Sequence, residues 1–117
     1  MADKWFLVPD VRLPFDASDE QIFEMAAAKM KRAGLCARPL HFRLYKKSFD
    51  ARKRPDITAV CSVLLAYGEH VTVKEHVLRA SGAKPYHEKP LEIRYGTEPM
   101  QGRPLVVGMG PAGMFCA

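Results

Sequence analysis

Hydrophobic and polar positions alternate at two different periods along this chain, and the switches between them mark out the elements. WFLVPDVRLPF, residues 5 to 15, begins as an apolar run and passes into alternation, with Val11, Leu13 and Phe15 on one side and Arg12 on the other, which predicts a strand. Pro9 and Pro14 cannot donate to a ladder, so this strand should lie at an edge or carry a bulge. The period then changes. Ile22, Ala26, Met30 and Ala33 recur at helical spacing. Ser18 with Gln21 makes a capping box, Asp19 and Glu20 suit the positive end of the helix dipole, Lys29, Lys31 and Arg32 suit the other end, and Gly34 is a natural stop.

Period two returns in LHFRLYKK, residues 40 to 47, where Leu40, Phe42 and Leu44 alternate with His41, Arg43 and Tyr45. ITAVCSVLLAY, residues 57 to 67, is apolar on both faces and therefore reads as a central strand covered on both sides or covered by a partner. From Thr72 to Ser81 a short helix is expected, with Thr72 and Glu75 as its cap, although VTVKEHV also alternates as a strand would. Leu91, Ile93 and Tyr95 then alternate with Glu92 and Arg94 and predict one more strand.

The predicted order is strand, helix, strand, strand, helix, strand. Joined this way, two βαβ-like halves give an α+β fold of the ferredoxin-like (βαββαβ) kind, an antiparallel sheet with the helices on one face. This arrangement is expected over residues 1 to 98, followed by a Gly- and Pro-containing linker at 99 to 104 and a separate beginning at 105 to 117.

Length and composition narrow the classes. The chain has 117 residues, room for one compact domain and not for two. At 48% hydrophobic and 26% charged it has the balance of a globular protein and not of a disordered one. The opening MADKWFLVPDVRLPF has neither the shape of a signal peptide nor the length of an anchor, so a cytoplasmic protein is expected, with no membrane partner. Cys36, Cys61 and Cys116 are odd in number and far apart, and His41, His70, His76 and His87 have no zinc-site spacing, so neither a disulfide framework nor a metal site is predicted.

Two stretches carry candidate chemistry. PLVVGMGPAGMFCA, residues 104 to 117, places Gly108, Gly110 and Gly113 in the G-x-G-x-x-G spacing directly after the apolar Leu105, Val106 and Val107. The first glycine permits a tight turn out of a strand, the second lets the backbone approach a pyrophosphate, and the third allows close packing of the helix that follows. With glycine at roughly 7% of residues, three at this spacing arise by chance in roughly 0.03% of windows, so the flanking strand and helix signals carry much of the weight. The second stretch, KKSFDARKRPD, gathers Lys46, Lys47, Arg52, Lys53 and Arg54 with Asp50 and Asp56 between them. It reads as a solvated loop with local pairing, or as a phosphate or cofactor contact led by Arg52 and Lys53. A nucleic-acid reading also exists. The net charge of +5, the basic loop at 46 to 56 and nearby Phe42, Tyr45 and Phe49 fit a small free-standing RNA-binding module. Against it, Phe42 shares a face with Leu40 and Leu44 and belongs to the predicted core.

VVGMGPAGMFCA resembles the opening of the FAD-binding fold of two-dinucleotide-binding-domain flavoproteins, in which G-x-G-P-A-G is a frequent form. KKSFDARKRPDI, residues 46 to 57, resembles the S-x-D-A-R-K segment in the N-terminal region of a family of uncharacterised FAD-dependent dehydrogenases, also described as NAD(P)/FAD-dependent oxidoreductases. The likeness covers essentially the whole chain. It implies that this is the front part of a longer flavoprotein, stopping as a truncated Rossmann-like FAD domain begins, with FAD diphosphate at Gly108, Gly110, Pro111, Ala112 and Gly113. The rest of that polypeptide is then its main partner, NAD(P) is a possible second cofactor, and the fragment itself is expected to hold no flavin and to be inactive. No catalytic residue is identified. The apolar Leu105 to Val107 is expected to join a sheet edge or pair with another copy of the chain.

Overall fold

The computed structural model describes residues 3–117 and shows an α+β fold built on one four-stranded antiparallel sheet. Its elements are β1 (Lys4–Pro14), α1 (Asp19–Arg32), β2 (His41–Asp50), β3 (Thr58–Tyr67), α2 (Glu75–Ser81), β4 (Lys84–Tyr86) and α3 (Pro111–Cys116). The strands lie in the order β2-β3-β1-β4, and each adjoining pair is antiparallel.

Alternation along β1 and β3 decides which side of the sheet is filled. Phe6, Val8, Val11 and Leu13 of β1 and Ala59, Cys61, Val63, Leu65 and Tyr67 of β3 project to one face, where they meet Ile22, Ala26 and Met30 of α1 and Val77 of α2 in a single core. The apolar stripe of α1 is the one its spacing predicts. Its capping box is complete: Ser18 Oγ accepts from the Gln21 amide and the Gln21 side chain accepts from the Ser18 amide. Gly34, past the end of α1, takes φ +113°, a left-handed conformation that suits a residue without a side chain.

The expectation of a doubly covered strand at 57 to 67 holds for the second half of β3, whereas Thr58, Val60 and Ser62 are only half-buried on the outer face. The strand sits between β2 and β1, and on the face away from the helices its Leu64 and Ala66 are fully buried as well. Leu64 lies opposite Leu7 and Arg43, Ala66 lies opposite Trp5 and His41, and Tyr45 and Tyr86 meet edge-on at 5.8 Å.

The prolines of β1 are resolved by a bulge. Register between β1 and β3 breaks between Val8 and Val11, and Asp10 takes φ +55°. Although β1 is internal, β4 covers only Trp5 to Leu7, so Pro9 and Pro14 both lie where no β4 neighbour needs their missing N–H. The carbonyls of Pro9 and Asp10 accept hydrogen bonds from the Lys29 ammonium of α1.

Four expectations are corrected. The second helix begins at Glu75, not Thr72, with Lys74 at its N-cap and no side-chain cap. The fourth strand is Lys84–Tyr86, not residues 91 to 95, because the stretch of β1 from Trp5 to Leu7 is already paired with it. Leu91, Ile93 and Tyr95 are 86%, 60% and 83% exposed, since alternation buries a face only where a neighbour supplies one. Leu105 to Val107 form no strand and join no sheet edge, for a short β segment without a partner has no ladder to complete. Phe15, read as part of the strand on the same side as Val11 and Leu13, lies beyond the end of β1 and is exposed, while Val11 and Leu13 are buried.

No residue after Ala83 belongs to the core. The radius of gyration, 20.2 Å, therefore far exceeds the roughly 13 Å of a compact domain of this length.

Candidate functional site

The glycine turn closes on itself. Gly108 has φ +117°, in the left-handed region, and Gly110 is the N-cap of α3 with Pro111 in its first turn. The helix is one turn and a half, held by Met114 N donating to Gly110 O at 3.0 Å and Ala117 N donating to Gly113 O at 3.1 Å. A Cβ on Gly113 would collide with the carbonyl oxygen of Gly108, and its next neighbour would be the Gly108 carbonyl carbon at 3.1 Å. The first and third glycines are thus coupled. The left-handed first turns the chain back, and the bare third lets the returning helix lie against it. Gly110 meets nothing within 4 Å, so its face is open to an approaching group. Pro111 and Ala112 form the first positions of α3 between these glycines. Leu105 and Val107, at 88% and 87% exposure, flank the turn without cover.

The basic turn is organised by one carboxylate. Asp50, the last residue of β2, accepts from Arg52 three times: from its backbone N–H at 3.1 Å, from Nε at 2.9 Å and from Nη2 at 2.6 Å. Arg12 Nη1 of β1 stands 3.8 Å from the same carboxylate, while Arg12 Nε donates to Asp10 Oδ1 at 3.0 Å. Asp10, Arg12, Asp50 and Arg52 therefore alternate in sign along one network. The hydrogen bonds from Arg52 hold the Asp50 carboxyl well below the ordinary carboxylate range, and Asp50 in turn raises the Arg52 guanidinium. Local pairing, expected of this loop, is present for Arg52. Two of its five N–H donors are used by Asp50, which leaves three. Lys53 lines a cleft with Arg12, Arg52 and Asp56. Among the described residues no hydrogen bond or ion pair links this turn to the glycine turn, so the two sets of candidate residues stand apart.

The aromatic residues near the loop divide. Phe42 packs against Phe23 at 5.5 Å beside the core, as its face predicts. Phe49 is 60% exposed, with the Lys47 ammonium 5.6 Å from its ring centre. The positions of β3 facing away from the helices are Thr58, Val60, Ser62, Leu64 and Ala66, none aromatic, so the central strand has no ring on which a base could stack.

Among the described residues no group of three or more His, Cys, Asp or Glu is placed to hold a metal ion. Cys61 is buried, and burial pushes its thiol up while the Lys47 charge opposes that. Cys36 and Cys116 are exposed free thiols. Among the described residues no helix is long and apolar enough to cross a membrane.

Sequence reasoning missed two residues that matter to these sites. Lys29 was legible only as a helix-end charge, and its bond to the β1 bulge required the packing of α1 on β1. Asp56 was visible only as a counter-charge, yet it borders two clefts at one end of the sheet.

An uncharacterised protein of Clostridium beijerinckii (strain ATCC 51743 / NCIMB 8052) is 36% identical to this chain over 83 residues, covering 63% of this chain and 14% of that protein. The chain thus spans a small part of the relative's length. No family model matches the chain, and no solved structure matches it.

Proposed function

We propose that the chain is the N-terminal part of a FAD-dependent oxidoreductase, a ferredoxin-like domain followed by the first turn of a dinucleotide-binding fold. The strand order β2-β3-β1-β4, with α1 between β1 and β2 and α2 between β3 and β4, supports the ferredoxin-like reading. The observation that carries the flavin reading is the coupling of Gly108 and Gly113, a turn that tolerates no Cβ at its third glycine. In this reading Gly108, Gly110, Pro111, Ala112 and Gly113 hold the FAD diphosphate through backbone N–H groups, and Leu105 to Val107 become a strand once the rest of the polypeptide supplies its neighbours. Bound FAD supplies hydride and electron transfer, with NAD(P) as a second nucleotide. The 117 residues alone bury no flavin ring and hold no FAD, and their uncovered apolar segment also makes self-association through residues 105 to 107 an expected property. The protein is read as cytoplasmic.

Expression of the polypeptide to its natural end tests this. A yellow protein with flavin absorption is expected. A folded, colourless protein that takes up no added FAD overturns the reading.

A further inference from the structure

We propose that the end of the sheet where β1 and β2 finish and β3 begins is a binding site for a nucleoside phosphate, formed by Arg52 and Lys53 for the phosphate, Asp56 for the ribose and Phe15 with Ile57 for the ring. The site is separate from the glycine turn and does not depend on the flavin reading.

Two clefts meet there. One, of about 490 Å³, is walled by Leu13, Pro14, Phe15, Pro55 and Ile57, with the Asp16 carboxylate at its border. The other, of about 620 Å³, is walled by Arg52, Lys53 and Asp50. Arg12, Asp56 and Thr58 border both, so they form the junction. The first cleft is an apolar shelf: Phe15 is 56% exposed and Ile57 38%, although both are large and apolar and Phe15 continues the inward alternation of β1. The second sets three cations, Arg12, Arg52 and Lys53, against the carboxylates of Asp50 and Asp56. Its Asp50 is already engaged by Arg52 and Arg12, and the exposed Arg52 side chain keeps three N–H donors on a fork whose other edge is clamped. A clamped guanidinium loses less freedom on meeting a phosphate than a free one, which favours a fixed pose.

The order of groups matches the ligand class. A ring on Phe15 and Ile57 would place the sugar at the junction, where the Asp56 carboxylate and the Thr58 hydroxyl can take its hydroxyl groups. The phosphate then lies over Arg52 and Lys53. An apolar shelf joined to a few convergent polar groups is the usual composition of a small-molecule site, and both volumes fall within the roughly 300–1,000 Å³ of such pockets. A bare phosphate would leave the shelf unused. A single-stranded nucleic acid would need a second stacking surface beside the shelf, and the outward positions of β3 supply no aromatic ring there.

The test is a titration of the ¹⁵N-labelled chain with AMP, adenosine and inorganic phosphate at low ionic strength, followed by amide and arginine Nε–H shifts. Saturable AMP binding is expected, at least tenfold tighter than either half, with shifts at Phe15, Arg52, Asp56 and Ile57. Arg52→Gln should weaken AMP about tenfold and leave adenosine unchanged, whereas Phe15→Ala should weaken AMP and adenosine and leave phosphate unchanged. Both side chains are exposed, and unshifted core amides in the variants report an intact fold. The proposal is overturned if AMP does not saturate, if it binds no tighter than phosphate, if the variants bind as well as the original chain, or if the shifts fall on other surfaces. A short oligoadenylate that binds more tightly per nucleotide than AMP would overturn it in favour of a nucleic-acid surface.

Discussion

The ammonium group of Lys29 donates to the carbonyl of Pro9 at 2.5 Å, joining the last turn of α1 to the bulge of β1. Pro9 and Asp10 are the two β1 residues without a register partner on either β3 or β4. The Pro9 carbonyl would otherwise be a part-buried acceptor and the Asp10 carbonyl an exposed one beside an open stretch of sheet edge, so the lysine both satisfies them and places a charge where another strand would add. Lys29→Met should cost about 1–2 kcal/mol in denaturant unfolding, the usual worth of a hydrogen bond to a charged group. It should also raise the fraction of dimer in sedimentation. An unchanged unfolding midpoint would show that water replaces the lysine without loss.

Tyr67 presents the opposite case. Its side chain is fully buried against Phe6, and among the described residues its hydroxyl has no hydrogen-bond partner. Tyr67→Phe removes a buried unsatisfied group and should leave stability unchanged or raise it by about 1 kcal/mol. Burial pushes the hydroxyl from its ordinary value of 10.0 up to about 12. Between those values the unfolded chain has lost the proton and the folded chain retains it, so stability falls as pH rises from 10 towards 12. The variant should show a shallower alkaline loss when the two proteins are unfolded in parallel across that range.

The Asp50 carboxylate titrates below the ordinary 3.8 because Arg52 donates to it from side chain and backbone. A depressed folded value means that its contribution is complete above the ordinary carboxylate range and is lost as pH falls through the folded value. Carboxyl ¹³C shifts should show no Asp50 inflection near 3.8 in the original chain. In Arg52→Gln the inflection should return toward that value. An ordinary titration curve in the original chain would mean that the clamp does not persist in solution.

Gly113→Ala puts a methyl group into the Gly108 carbonyl. In the 117-residue chain, thermal unfolding of the sheet should be unaffected, because no residue beyond Ala83 enters the core, while amide shifts from Val106 to Ala117 should change. In the polypeptide extended to its natural end, the same change should lower FAD content at least tenfold. Retention of full flavin would separate the turn from cofactor binding.

Local patterns determined much of this molecule. Ser18, Gln21 and the Ile22, Ala26, Met30 stripe specify α1 because a capping box and a helical period are complete within one turn or two of chain. The double apolar face of residues 57 to 67 likewise marked the central strand, since only a strand covered on both sides can place Val63 and Leu64 in adjacent positions without exposing either. The fate of weaker patterns was settled elsewhere. Leu91 to Tyr95 alternates more cleanly than Lys84–Tyr86, yet the proline-containing segment pairs with β1, because a strand exists only where a neighbour offers unpaired backbone groups in reach of the preceding helix. The glycine spacing named its turn, but the dependence of Gly113 on Gly108 is a matter of through-space distance. Lys29 on Pro9, Arg12 beside Asp50 and the shared cleft of Phe15 and Ile57 join residues far apart in sequence, and a one-dimensional period carries no information about which strands become neighbours.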